Sequence, residues 1–288
     1  MRILIGVDGS RQALAGARWV AGLPLTVGDE VIVAAIAQQP VLVGNWGYIL
    51  TPAASAALEA AWEDARQAAR LTADTGAEAL GSPGCLIRTV VRDGHPVDGL
   101  TRIAQETAAG LIVVGPHGRG WLDKILLGSV SQGLLHRMPA AVLVAREPVS
   151  RPVRVLLTTD GSTPSLAAGG YLARFPLPTD ARVEVLAVHG DTTGLQAPKE
   201  RAWASDAIDV TIEALATGGR DATPVIRHGD PKREILAASR ELGADLLVTG
   251  SRGLGGFAGL VLGSVSRALA KAAPCSVLVV PEQPDVDA

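Results

Sequence analysis

Aromatic residues are scarce in this chain, at 3% of 288 residues. Its core must therefore rest on Val, Leu, Ile and Ala, a composition that suits parallel strands buried under Ala-rich helices. Cysteine is scarcer still: Cys85 and Cys275 fall in different halves and neither has a CxxC neighbour. That excludes a disulfide framework and fits a reducing compartment. Cys275 leads into the apolar run 276–280 and reads as a small core residue. No apolar run approaches the ~18 residues of a membrane span, and no basic, apolar and cleavage-site sequence precedes the first strand-like run, Arg2 to Gly6. A soluble, cytoplasmic protein with no membrane partner is expected.

Neither sign of charge dominates. Lys and Arg number 26, Asp and Glu 29, for a net charge of −3, and the basic residues are scattered, so no nucleic-acid surface is expected. The five histidines (His95, His117, His136, His189, His228) show neither HxxxH spacing nor a carboxylate cluster, which argues against a metal site built from protein ligands alone. GxSxG and GxxxxGK[ST] are both absent, which removes the nucleophile elbow and the Walker loop. No catalytic set is legible.

What is present is repetition. Ile3 to Val7, Val31 to Ala37, Leu86 to Val91, Leu111 to Val114 and Ala141 to Ala145 read as strands, with helical periodicity between most of them. A helix rich in alanine is expected over 55–74, with Trp62, Ala65, Ala69 and Leu71 as its apolar stripe. Alternating strands and helices imply βαβ units and a parallel sheet. After the linker 147–152 the pattern restarts. Asp160-Gly161-Ser162 repeats Asp8-Gly9-Ser10 at an offset of 152, and Arg227 to Pro231 repeats Arg92 to Pro96 at an offset of 135. The 17-residue difference is expected in the loop 40–54, around Trp46 and Tyr48. The repeat implies two tandem domains, 1–147 and 153–284. Each is expected to be an open, parallel five-stranded sheet with helices on both faces, a Rossmann-like α/β fold.

Within the repeat, one device stands out. Gly115, Gly118, Gly128 and Ser129 recur 135 residues later as Gly250, Gly253, Gly263 and Ser264. Each set comes after an apolar strand and opens a helix. Glycine lets backbone approach an anion, and a helix start offers unpaired N–H groups and a positive dipole end. These loops are therefore candidate phosphate cradles. The first includes Arg119, Gly120, Val130 and Ser131, the second Leu254, Gly255, Val265 and Ser266. Arg119 and Arg252 could pair with phosphate or be ordinary exposed loop charges; His117, at the place of Arg252, is open in the same way. Asp8 and Asp160 close the first strand of each half, where ligands of open parallel sheets bind. Either could meet a ribose, hold a cation or simply cap the next helix.

The G-2x-G-9x-G-[ST] spacing, the openings Val7-Asp8-Gly9-Ser10 and Thr158-Thr159-Asp160-Gly161-Ser162, and the closing strands 141–145 and 275–280 together resemble the universal stress protein family in its tandem-domain form. The resemblance covers about residues 2–146 and 153–281. It implies one ATP per domain, with magnesium possible at the phosphates. It implies that Asp8 and Asp160 contact the nucleoside, that the strand-two ends Ile36 and Val188 meet adenine through their backbone, and that Gly6-Val7 and Thr158-Thr159 line the same clefts. It also implies a regulator of stress or dormancy, a homodimer, and contacts between domains or subunits through the last strands. A slow ATPase or phosphotransferase and a nucleotide-free interaction module are the alternatives. Loop Pro116-His117 departs further from the family pattern than Ser251-Arg252, so altered affinity is expected in the first copy.

Overall fold

The computed structural model describes residues 1–38, 52–81, 84–118, 127–146, 151–190, 197–254 and 262–282. The loop holding Trp46 and Tyr48, residues 147–150 of the linker, and the loop positions Arg119, Gly120 and Gly255 lie outside them.

The first half runs β1 (Arg2–Val7), α1 (Arg11–Ala21), β2 (Glu30–Ala37), α2 (Pro52–Glu78), β3 (Leu86–Asp93), α3 (Pro96–Glu106), β4 (Leu111–Val114), α4 (Ser129–Arg137) and β5 (Ala141–Val144). The second repeats it as β6 (Arg154–Thr158), α5 (Thr163–Arg174), β7 (Arg182–His189), α6 (Ala197–Ala216), β8 (Ala222–His228), α7 (Pro231–Glu241), β9 (Leu246–Gly250), α8 (Ser264–Ala272) and β10 (Ser276–Val280). Two expectations need correcting. The helix α2 begins at Pro52 and has 27 residues against 20 for α6, so the extra length of the first half is shared between loop and helix. Proline has no N–H to lose at a helix start, which makes Pro52 a natural first residue. Leu71, assigned to the apolar stripe, is 62% exposed. The buried side of the helix is Ala69, Ala73 and Gly76.

The ten strands form one sheet in the order β3-β2-β1-β4-β5-β10-β9-β6-β7-β8. Each half contributes five parallel strands. The halves meet where β5 pairs antiparallel with β10, Leu143 opposite Leu278. Strand alternation sends Ile3, Ile5 and Val7 to one face and Leu4 to the other. The helices α1, α2, α5 and α6 cover the first face, and α3, α4, α7 and α8 the second. Both cores run without a break through the joint, because β5 and β10 are buried throughout. Across the joint, the Trp19 and Phe175 rings lie 6.4 Å apart, and the Tyr171 hydroxyl donates to the Gly110 carbonyl at 3.0 Å. Arg146 donates to the Ala270 and Lys271 carbonyls at 2.7 and 2.9 Å, placing a cation at the C-terminal end of α8, where the helix dipole favours it. Edge strand β8 carries Pro224, tolerable because an edge leaves one side of the ladder unpaired. No helix among the described residues is long and apolar enough to cross a membrane.

Candidate functional site

In the first half the carboxyl ends of β1, β2 and β4 surround a cavity of about 450 Å³. Its floor is Gly6-Val7-Asp8 and Ala34 to Gln38. The α2 residues Ala65, Ala68, Ala69 and Thr72 make one wall, and Gly115, His117, Gly118 and Gly128 to Ser131 close the far end. The structure thus brings Gly6, Val7, Asp8, Ile36, Gly115, His117, Gly118, Gly128, Ser129, Val130 and Ser131 to one place. Sequence reasoning missed the α2 wall. The spacing 65, 68, 69, 72 marks a stripe of small residues on one helical face, but such a stripe reads equally well as ordinary core.

The glycines are required by approach. A side chain at Gly118 would collide with Asp8 Oδ2, and one at Gly128 would sit 2.9 Å from His117 Cα. The loop closes on the helix start through Gly128 N–H, which donates to Pro116 O at 2.6 Å. The first intrahelical bond of α4 comes from Gln132 to Gly128 O. That leaves the N–H groups of Ser129, Val130 and Ser131 at the helix head as donors. The Ser131 hydroxyl donates to Gly115 O at 2.5 Å, so it ties the helix to the end of β4. Ser266 does the same in the second half, donating to Gly250 O at 2.7 Å.

Asp8 and Asp160 are not the helix caps. Ser10 takes that role, its Oγ accepting from Ala13 N at 3.1 Å, and Ser162 is the N-cap of α5. The aspartates instead accept from the backbone N–H two residues on, Ser10 at 2.9 Å and Ser162 at 3.1 Å. These Asx turns place Gly9 and Gly161 at φ of 78° and 70°, where glycine is favoured. Each second carboxylate oxygen faces the glycine loop. Asp160 Oδ2 accepts from Leu254 N at 2.8 Å, and Gly253 carries the same restriction toward Asp160 that Gly118 carries toward Asp8. Asp160 therefore braces its loop, and Asp8 edges the first cavity against Gly118.

His117 is 8% exposed, and its Nδ1 is buried without a partner among the described residues. Its Nε2 lies 3.4 Å from Gln12 Nε2. Its counterpart Arg252 pairs with Glu282 beyond β10. The remaining second-half residues, Thr158, Thr159, Asp160, Val188, Gly250, Gly253, Leu254, Gly263, Ser264 and Val265, stand at the matching strand ends, loop and helix head. Thr158 Oγ1 donates to Val248 O at 3.3 Å and Thr159 is 5% exposed.

Relatives match the chain over nearly its whole length. A universal stress protein of Mycolicibacterium smegmatis is 31% identical over 294 residues, covering 96% of each chain. One from Mycobacterium tuberculosis is 30% identical over 304 residues, again 96% of each. The crystal structure of a universal stress protein from Archaeoglobus fulgidus superposes with a TM-score of 0.71 at 22% identity, covering 98% of each chain. The universal stress protein family profile matches residues 1–146 and 153–281, and with both copies accounted for, the chain belongs to that family.

Proposed function

We propose that this protein binds an adenine nucleotide, ATP, at the strand ends of its domains, 1–147 and 153–284, and acts as a nucleotide-dependent regulator. The observation that carries this reading is the first cavity. One end is a loop with three N–H groups at a helix head, suited to phosphate oxygens. The other is an apolar slot between the ends of β1 and β2 and the alanines of α2, suited to a flat base. At Gly118 an added Cβ would meet the tip of Asp8, and at Gly128 the backbone of Pro116-His117, so both positions are closely packed within the loop.

Asp8 is the sole carboxylate among the described residues lining the cavity. It could meet the ribose or a magnesium ion arriving with the phosphates. Its carboxylate accepts from the Ser10 N–H at 2.9 Å and packs against Gly118, and binding without turnover is the reading preferred. A cytoplasmic location is proposed with it. A homodimer would have to use a surface other than β5 and β10, since those strands pair within one chain.

The test is mass spectrometry of small molecules released from purified full-length protein, then calorimetric titration with ATP with and without magnesium. Released adenine nucleotide and saturable binding are expected. No nucleotide, and no thermal shift with ATP, would sink the reading.

A further inference from the structure

The helices α2 and α6 pair residue for residue at the 135 offset that also relates β3 to β8. Ala73 and Ile208 are both buried at 0–1% exposure, and Leu80 and Leu215 at 0–3%. At that register Ala65 becomes Glu200, Ala68 becomes Trp203, Thr72 becomes Ala207 and Gly76 becomes Thr211. Ala65, Ala68 and Thr72 line the open cavity of the first half.

In the second half the same helix face comes down onto the end of β6. A methyl group at Gly161 would stand 3.2 Å from Ala207 Cβ and 3.9 Å from Trp203 Nε1. The Thr211 hydroxyl is 2.9 Å from Thr159 Oγ1. Thr159 Oγ1 in turn lies 3.2 Å from Ser165 Oγ, so buried hydroxyls hold α6 against β6 and α5. Glu200 Oε2 would be 3.4 Å from a methyl at Gly190, the counterpart of Gln38 on the first cavity floor. Asp8 is exposed, whereas Asp160 is half-buried.

We propose that Trp203 occupies the base end of the second cleft, so that the two nucleotide sites are not equivalent. This rests on the nucleotide-binding reading above. Gly118, Gly128 and Ser129 have counterparts in Gly253, Gly263 and Ser264, but the indole takes the space that Ala68 leaves open. A nucleotide enters the second cleft only after Trp203 swings out, and its apparent affinity falls by the fraction of time the cleft is open. Trp203 is thus the residue that sets occupancy, and the first half carries the tight site.

Calorimetric titration of nucleotide-free full-length protein with ATP tests this. Wild type is expected to bind one equivalent tightly, with the second at least about tenfold weaker. Trp203→Ala is expected to bring the second within about threefold of the first. The converse exchange, Ala68→Trp, is expected to weaken the tight site at least about tenfold. Circular dichroism and melting temperature confirm that both variants fold, and Ala68→Trp still decides the matter if Trp203→Ala does not. Two equal sites in wild type would overturn the proposal. So would a Trp203→Ala protein whose second site weakens, which would make the indole a stacking platform instead. A wild type that binds no ATP would sink the nucleotide-binding reading itself, a distinct failure.

Discussion

The two halves share a cradle and differ in the helix above it. In the first, α2 presents Gly76 to β1, where an added Cβ would lie 2.8 Å from Val33 and 3.0 Å from Val7. In the second, α6 presents Thr211 to the counterpart of Val7, Thr159, and a hydrogen bond forms. The first pair meets through apolar surface and leaves a cavity beyond it. The second is pinned by hydroxyls, with Trp203 standing at the place of Ala68. A duplicated site can diverge at its wall while the glycine spacing of its loop is kept, so a motif repeated within one chain does not imply equal occupancy.

The largest effect that could break this comparison comes from the cradles. Gly118→Val should weaken ATP binding at the tight site by at least about 100-fold, because the new side chain collides with Asp8 and displaces the loop. Gly253→Val should leave that tight site in place. Calorimetry separates them, and equal losses would refute the asymmetry. Next, the joint should make the halves fold as one unit. Leu278→Ala and Leu143→Ala, at facing positions with no exposure, should each cost about 2–5 kcal/mol and keep a single denaturant transition. Two resolved transitions would show that the halves unfold independently. A smaller effect is expected at the pin. Thr211→Val should cost about 1 kcal/mol through its lost hydrogen bonds and should speed nucleotide exchange at the second cleft, read by stopped-flow release. The smallest concerns the two thiols. Burial pushes the Cys275 thiol up to about 11, whereas Cys85 is only partly buried. At about pH 8 Cys275 holds roughly one thiolate in a thousand. A thiol reagent should label Cys85 first and reach Cys275 only on unfolding.

Much of this is legible in the sequence. The spacing from Gly115 to Ser129 and from Gly250 to Ser264 locates both loops, because close backbone approach demands glycine and a helix head leaves N–H groups free. The parallel sheet of each half is implied by the alternation of strands and helices. The role of Asp8 and Asp160 is less legible: Asp-Gly-Ser suits a cap, and only the folded chain shows serine capping while the carboxylate reaches the loop. The unequal walls are hidden by a register problem. Offsets of 152 before the extra residues and 135 after them leave Ala68 and Trp203 unpaired until α2 and α6 are laid side by side. From sequence, altered affinity is expected in the first copy, on account of Pro116-His117. The Trp203 proposal places the weaker site in the second copy instead, and the calorimetric titration decides between the two.

The antiparallel pairing of β5 with β10 has a geometric consequence. Strands of the first half run opposite to those of the second, and each cleft sits at the carboxyl ends of its own strands. The mouths therefore open on opposite margins of the sheet, back to back. A ligand seated in one mouth faces away from the other. Among the described residues, coupling between the sites has the Leu143–Leu278 seam, the rings of Trp19 and Phe175, and the Tyr171 and Arg146 hydrogen bonds to travel through.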